Sequence, residues 1–536
     1  RNGDTEVGAA GALAINVADA DSRAAVELGG SVSATTASGD VTIHAIAIAN
    51  DSAIAAGTTA GFVGLGVGTS FALNVTLDDA TAEVAGVVNS LLNVTLLAEG
   101  TYTAVTYAEG GATAGTGVAP AIALQVTDDD TAALVDTAAM LQVGGALLVR
   151  STYTKDSDTK AKGAVASLWT ALGAAVAAGF GVDTGRASVS GTANVTGAAT
   201  ILAEMDGVSV TESEAGAKGV DPGDPDVNTT MLALYIYSKT SDFLTKDIGL
   251  PAADLPTGPI GAAAALALNV DLAEAQASIT STGAVTSNGA LSVRATSDLD
   301  ASAKANGRTA DDVGIGVAAA VALNLAAPTT EAVIAGYAMA PVVTIDTLMA
   351  GDLEHTYAAE AKSGAGATGV NLAGALAVNV GRGTSEARID GGATLTVTGG
   401  GTLTVSASYT TLNTADALAK PFGETDVGVG ASVAVNAILH ITHAVIGNAS
   451  ISANAIAVSA TDTHVENTTA QAGSGSDVAF GAAVAVGASR TNTTAEFLAG
   501  STPLALPNAV NVTANHTSTI TTTADAQTAG ANVAAG

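Results

Sequence analysis

A short apolar run that ends in asparagine recurs nine times along the chain and constrains the fold more than any other feature. Its clearest copy is Gly374-Ala-Leu-Ala-Val-Asn-Val380. With Asn379 taken as an anchor, the equivalent positions are Asn16, Asn74, Gln125, Gly179, Asn269, Asn324, Asn379, Asn436 and Gly487. Successive anchors are 51 to 58 residues apart, except for one interval of 90. A repeat of this period is typical of a solenoid, a propeller or an array, so we predict nine units of about 54 residues.

Alternation within a unit indicates β-strands. In the run before each anchor, large aliphatic residues alternate with alanine, and successive residues of a strand point to opposite sides. Both sides are therefore apolar, but one carries large side chains and the other carries alanine and is flat. We predict that the large side chains, Leu376 and Val378 among them, fill the core. We expect the alanine side, with Ala373, Ala375 and Ala377, to be covered by a second sheet or another copy of the chain.

In the later part of each unit, one side of the predicted strands is polar and faces solvent. Leu395, Val397, Leu403 and Val405 alternate with threonine and serine around Gly399–Gly401, which predicts two half-exposed strands with these four aliphatic side chains inside. The abundance of Val, Thr and Ile and the absence of a competing helical period make the predicted class all-β.

The number of coils in a unit stays open at this point. Coils of roughly 20 to 27 residues would place two or three turns in each unit, and this is the arrangement we expect; successive anchors would then lie about 10 to 14 Å apart. A single wide coil would instead stack the anchors directly as an amide ladder. A propeller and an antiparallel sandwich array are the remaining alternatives.

The repeats resemble those of large bacterial surface and secreted proteins, namely filamentous-haemagglutinin-like and leukotoxin-like filamentous adhesins and autotransporter passengers. The resemblance rests on Gly428-Val-Gly-Ala-Ser-Val-Ala-Val-Asn436, Ala444-Val-Ile446 and Ile456-Ala-Val-Ser-Ala460, with weaker copies along most of the chain. It implies an elongated right-handed parallel β-helix with an extracellular, adhesive or scaffolding role, and it implies no catalytic residues.

One interval carries an insertion. The spacing of 90 residues exceeds the usual period by about 35, and the extra chain, roughly 206–260, holds five of the eleven prolines. We therefore divide the chain into solenoid repeats 1–4 over residues 1–205, a Pro-rich insertion over 206–260, and repeats 5–9 over 261–536. The insertion either covers apolar surface or binds a partner.

Composition excludes several classes of partner. The formal net charge is −32 with 18 Lys plus Arg, and this opposes binding to nucleic acid or anionic lipid. The most membrane-like stretch, 163–182, is rich in alanine and glycine and contains the anchor Gly179, so we interpret it as a strand of the repeat rather than a transmembrane span. The chain contains no cysteine, which excludes disulfides and thiolate metal sites.

Acidic turns are the strongest chemical signal. Carboxylates follow several anchors closely, and the densest group is Asp78, Asp79, Asp128, Asp129 and Asp130. Hard oxygen ligands at this density suit Ca²⁺, so these five residues are candidate calcium ligands; the alternative is that they are turn residues that keep an Ala-rich body soluble. We interpret the pair His440 and His443 as surface residues, because a chelating carboxylate or third ligand is missing from the surrounding sequence.

No motif of a nucleophilic or phosphate-binding enzyme occurs, so we expect no catalysis and no cofactor beyond Ca²⁺. The sequence favours a structural or adhesive extracellular filament, or a cell-surface fibre segment, that associates with itself head to tail or laterally. The alternative is a glycan- or surface-binding module that uses exposed threonines such as Thr394, Thr396, Thr402 and Thr404; a polysaccharide-active β-helix enzyme ranks third, since basic and aromatic residues are scarce. Neither end of the sequence resembles a capping repeat, so we also expect a piece of a longer repetitive chain or a protomer that joins head to tail.

Overall fold

The computed structural model describes residues 7–36, 39–60, 64–217, 260–309, 314–367, 369–421, 427–498, 509–528 and 533–535. All secondary-structure elements in these ranges are β-strands, and their ladders are parallel. The prediction of an all-β parallel solenoid is confirmed.

Each of the first eight repeats forms one coil of three segments: a long strand, a short strand and a second long strand; in the ninth repeat the two long strands are described. The first long strands, which we call the front stack, are β1 (Val7–Val26), β4 (Leu65–Val84), the later part of β6 (Val94–Val135), the later part of β8 (Leu147–Val189), β11 (Ile260–Ile279), β14 (Ile315–Ile334), β18 (Val370–Ile389), β21 (Val427–Ile446) and β24 (Val478–Phe497). The short strands are β2 (Ser31–Ala34), β5 (Val87–Ser90), β7 (Met140–Val143), β9 (Thr192–Val195), β12 (Ala284–Ser287), β15 (Tyr337–Ala340), β19 (Thr394–Val397) and β22 (Ser450–Ser452).

The second long strands form the back stack, which faces the front stack across the core. They are β3 (Val41–Ala60), the early parts of β6 and β8, β10 (Ala199–Ala217), β13 (Leu291–Thr309), β16 (Val343–Met349) with β17 (His355–Gly364), β20 (Thr402–Ala419), β23 (Ala455–Ser474) and β25 (Ala509–Thr528). The strand β26 (Val533–Ala535) pairs with the start of β24 and so continues the front stack.

The register confirms the repeat and corrects the coil size. Asn379 lies opposite Asn324 on one side and Asn436 on the other, and every anchor from Asn16 to Gly487 is in register with the next. One repeat is therefore one wide coil, and the expectation of two or three turns was wrong. The polar tract after each half-exposed strand looked like a turn, but in β20 it is continuous strand whose inward polar groups, Thr411 and Asn413, are buried.

The asparagine anchors form the amide ladder that a single wide coil predicts, between Asn16 and Asn74 and from Asn269 to Asn436. The side-chain amide of Asn324 donates to Oδ1 of Asn379 at 2.8 Å, and that of Asn379 donates to Asn436 at 3.0 Å. Each of these amides also reaches across the core, from Asn324 to the carbonyl of Ala301 and from Asn379 to that of Tyr357. The ladder thus joins neighbouring coils and both stacks, which satisfies buried amides that would otherwise be costly.

The core has three zones along the strands. At the end closed by the short strands it holds Val, Ile and Leu, including Leu395, Leu403 and Val405. At the opposite end it is almost wholly alanine from both stacks, for example Ala377 against Ala415 and Ala417. Between them lies a middle zone of polar, aromatic and ionisable side chains on either side of the anchors.

The predictions about which side chains fill the core have different outcomes. Leu395, Val397, Leu403 and Val405 are buried as expected, and Ala373, Ala375 and Ala377 are covered by the back stack. Leu376 and Val378, however, point outward and are half-buried, so their placement in the core was wrong. The stacks approach so closely in the alanine zone that a Cβ at Gly68 would overlap the carbonyl oxygen of Gly111, which leaves no room for leucine.

The long interval contains more strand than expected. β10 continues to Ala217 and pairs with β8 and β13, so residues 206–217 belong to the solenoid. Residues 218–259, with most of the Pro-rich insertion, lie outside the described residues. The stretch 163–182 lies within β8, as expected for a repeat strand.

Candidate functional site

Ionisable residues occupy the middle zone of the core at a fixed offset from the anchors. In four front strands the fourth residue after the anchor is ionisable, and these residues are Asp78, Asp129, Asp183 and His440. All four are buried, with exposures of 1% or 2%. Because an even offset places them on the same face as the anchor, they point into the core.

In the first coils these residues form a stack of carboxylates with one lysine. Asp129 lies opposite Asp183 in the register, and its Oδ1 accepts a hydrogen bond from the backbone amide of Asp78 at 3.1 Å. Lys155, from the back stack, donates to Asp183 at 2.6 Å and to Asp271 at 3.3 Å, and all three are buried. The lysine therefore compensates the later carboxylates of the stack, and among the described residues Asp129 has no cationic partner at contact distance.

Burial perturbs these carboxyl groups strongly. Desolvation, reinforced by the charge of Asp183, raises the pKa of Asp129 from 3.8 to about 7. Burial likewise raises the pKa of Asp78 and of Asp183 to about 6, although Lys155 acts against the rise at Asp183. For Lys155 burial alone would lower the pKa, but the charges of Asp183 and Asp271 outweigh it and the net shift is upward.

The five residues predicted to bind calcium are divided by strand alternation. Asp78 and Asp129 point into the core, whereas Asp79, Asp128 and Asp130 point outward. On the outer surface Asp79 lies opposite Asp130, and Asp21 lies opposite Asp79. The five do not converge on one point, and the calcium prediction now concerns the outer carboxylates, where it stays a prediction.

The last described coils contain a cluster of histidines and tyrosines. The ring of Tyr409 lies 5.0 Å from that of His355 and 4.7 Å from that of His440, between centroids. His464 and His516 continue the series, at 5.7 Å from His440 and 5.2 Å from His464 respectively. Burial lowers the pKa of His355 to about 3 and that of His440 to about 4, so both are neutral at neutral pH.

The interpretation of His440 as a surface residue was wrong. His440 is 1% exposed and faces the core, whereas His443, three residues later, faces outward and contacts Asn492. Asp462 and His464, two residues that can ligate a metal together with His440, come from the facing strand β23. The offset of four residues shared by His440 and the buried aspartates was visible in the sequence, but the facing strand could be identified only once one repeat was known to close one coil.

The outer surface of the front stack is a second candidate site, which we call the apolar face. It consists of six outward positions in each front strand, from the ninth residue before the anchor to the first after it. No charged side chain occupies any of these positions. Leu266, Val317, Leu372, Val484 and Val486 on this face are each 36% or more exposed.

The outer surface of the back stack is polar by contrast. In the last coils it carries hydroxyl groups, among them a row formed by Thr410, Thr463 and Thr517, which are consecutive in the register. The candidate threonines of the sequence analysis, Thr394, Thr396, Thr402 and Thr404, also point outward, on β19 and β20.

Comparison with protein-family models, curated proteins and solved structures finds no match to this chain. The part of the chain that the structure describes contains no helix long and apolar enough to cross a membrane. The function is therefore inferred from the geometry of the residues themselves.

Proposed function

We propose that this chain is a structural segment of an extracellular or cell-surface assembly, and that it associates laterally with a second copy of itself through the apolar face. The observation that carries the proposal is the uncharged, aliphatic outer surface of the front stack on a chain whose net charge is −32. Large contiguous apolar surfaces are rarely exposed to water, so a partner is expected to cover this one.

The area of the apolar face fits a dimer interface. Its nine strands at a spacing of about 4.8 Å and its eleven-residue width at about 3.3 Å per residue give an area of roughly 1,300 Å². The largest apolar patch on a typical monomer is about 300–600 Å², and a standard stable interface buries about 800 Å² on each partner. One face is therefore large enough to hold two copies together without further contacts.

The chemistry of the face favours an identical partner. A charged partner would find no ion pair there, and a sheet covered with apolar side chains packs well against another such sheet about 10 Å away. The acidic surface elsewhere repels anionic lipid, which opposes a membrane as the covering surface. The proposed location and adhesive role are supported by the resemblance of the repeats to those of large bacterial surface proteins.

The test is to place a charge at the centre of the apolar face. Leu323 in β14 points outward near the middle of the nine strands, and Leu323→Glu would bury an unpaired carboxylate in the interface. We expect the wild-type protein to sediment as a dimer or larger species. We expect the variant to associate at least about 100-fold more weakly, which corresponds to roughly 3 kcal/mol, as measured by sedimentation velocity over a concentration series.

Thr404→Glu, which adds the same carboxylate to the outer surface of the back stack, is the matched control and should leave association unchanged. Circular dichroism shows whether both variants keep the fold. A wild-type protein that remains a 51.4 kDa monomer at its highest soluble concentration would refute lateral pairing. Equal weakening by both variants would refute the assignment to the apolar face, and flotation with vesicles of neutral phosphatidylcholine would assign that face to lipid instead.

A second candidate function is supported by the row of hydroxyl groups on the back stack. Thr410, Thr463 and Thr517 repeat at the strand spacing, and rigid rows of hydroxyls can hydrogen-bond to the hydroxyls of a polysaccharide. A chain that stays monomeric and is retained on an immobilised neutral glycan would favour this function over lateral association.

A further inference from the structure

Three side chains that can ligate a metal meet between the stacks in the last described coils. His440 comes from β21 in the front stack, and Asp462 and His464 come from β23 in the back stack. Asp462 and His464 are two residues apart on one strand, so both point to the same face of it. Each of the three side chains is 1% exposed.

The distances between the ligand atoms are close to those found around a bound zinc ion. His440 Nδ1 lies 3.9 Å from Asp462 Oδ1, and His464 Nδ1 lies 3.5 Å from Asp462 Oδ2. One ligand atom from each of the three residues lies within 4.8 Å of the other two. A tetrahedral ion with bonds of about 2.0–2.1 Å separates its ligand atoms by about 3.3 Å, so small side-chain rotations suffice to close the site.

Most of the same atoms lack hydrogen-bond partners. Oδ1 of Asp462, both ring nitrogens of His440 and Nδ1 of His464 are buried without one, whereas Oδ2 of Asp462 lies 2.9 Å from Nδ1 of His516. A carboxylate and two imidazoles buried in this state cost free energy, because each has lost its hydrogen bonds to water. Burial lowers the pKa of His440 to about 4, so its ring is neutral and keeps a lone pair available.

Neighbouring hydroxyl groups contact the ring nitrogens of His464 and His516. His464 Nε2 contacts the hydroxyl of Ser489 at 3.2 Å, which leaves Nδ1 facing Asp462. A hydrogen bond from the remote ring nitrogen commonly fixes the tautomer of a metal-binding histidine. His516, from β25, brings its Nδ1 to 2.9 Å from Asp462 Oδ2; its side chain is 37% exposed and also contacts the hydroxyls of Thr491 and Thr493.

We propose that His440, Asp462 and His464 form a binding site for a divalent transition-metal ion, with Zn²⁺ as the best fit and with His516 or solvent in the fourth position. Two imidazoles and one carboxylate whose ligand atoms lie within 4.8 Å of one another suit zinc, whereas calcium and magnesium prefer oxygen ligands alone. The site goes beyond the structural role proposed above, and its ion would link the front and back stacks across the core.

The test uses the full chain, freed of metal by a chelator and titrated with Zn²⁺ in a calorimeter. We expect one high-affinity ion per chain, and tetrahedral absorption bands when Co²⁺ replaces zinc. Asp462→Asn changes the side chain least in shape and should weaken zinc binding by at least about tenfold, as should His440→Gln combined with His464→Gln. Circular dichroism of the metal-free variants checks that they keep the fold.

His443→Gln is the matched control, because His443 lies three residues from His440 but on the outer surface; this variant should bind zinc as the wild type does. The absence of zinc binding in the wild-type chain would overturn the proposal. So would undiminished binding by the His440→Gln, His464→Gln variant, which would assign the ion to surface groups. A separate titration with Ca²⁺ addresses the outer aspartates, and sedimentation without metal keeps this test independent of lateral association.

Discussion

Replacing Ala434 by leucine should destabilise the solenoid severely. Ala434 is fully buried in β21, in the alanine zone where the front and back stacks are in close contact. Three additional carbon atoms have no space there, and overpacking of a rigid core costs about 1–3 kcal/mol or more. We expect a clear fall in the thermal unfolding midpoint measured by circular dichroism, together with a loss of soluble protein.

Ala437→Leu is the control for this prediction. Ala437 lies three residues later in the same strand and points outward, where it is half-buried. The chemical change is identical, so the difference between the two variants reports on the side of the strand alone. If Ala437→Leu destabilised the protein as much as Ala434→Leu, the assignment of the alanine side to the core would be wrong.

Replacing Asp129 by asparagine should stabilise the protein above neutral pH. Because the pKa of Asp129 is about 7 in the folded chain against an ordinary value of 3.8, the folded state binds its proton more tightly than the unfolded state. The associated stability is fully present below pH 3.8 and is lost as the pH rises through about 7. A shift of about three units sets a ceiling near 4 kcal/mol, and we expect a gain of about 1–3 kcal/mol at pH 8 that disappears near pH 4.

Asp130→Asn removes the same charge from the outer surface of the adjacent position and controls for the general effect of net charge. Its effect on the unfolding midpoint should be small. An Asp129→Asn variant that was less stable than the wild type at pH 8 would show that the charged carboxylate is compensated in the core.

The repeat and its phase could be predicted from the sequence because they depend on the strand alternation alone. The anchors from Asn16 to Gly487 are in register without exception. The identity of the buried side was harder to predict, since both sides of the front strands are apolar. Large aliphatic side chains normally occupy the core, but here the spacing between the stacks admits mainly alanine, glycine and other small residues. That spacing is a property of the assembled coil.

The side-chain contacts in the candidate sites could not be predicted either, because they depend on the size of the coil. Asp183 and His440 occupy equivalent offsets from Gly179 and Asn436, which the sequence displays. Their partners Lys155, Asp462 and His464 come from back strands, and which back residues face which front residues is fixed only by the length of the coil. With two or three turns per repeat those contacts would not exist.

The core, the apolar face and the metal site all depend on the claim that one repeat forms one coil. Pulsed electron paramagnetic resonance tests this claim most directly. The chain has no cysteine, so spin labels can be placed at Thr95→Cys and Ala457→Cys without background. These positions, outward on the back stack, are six register steps apart through Leu148, Thr200, Ser292, Thr344 and Thr404. One coil per repeat predicts a separation of about 29 Å between their backbones, measured in an excess of unlabelled protein; a separation near 58 Å or more, as two or three coils per repeat require, would contradict the account.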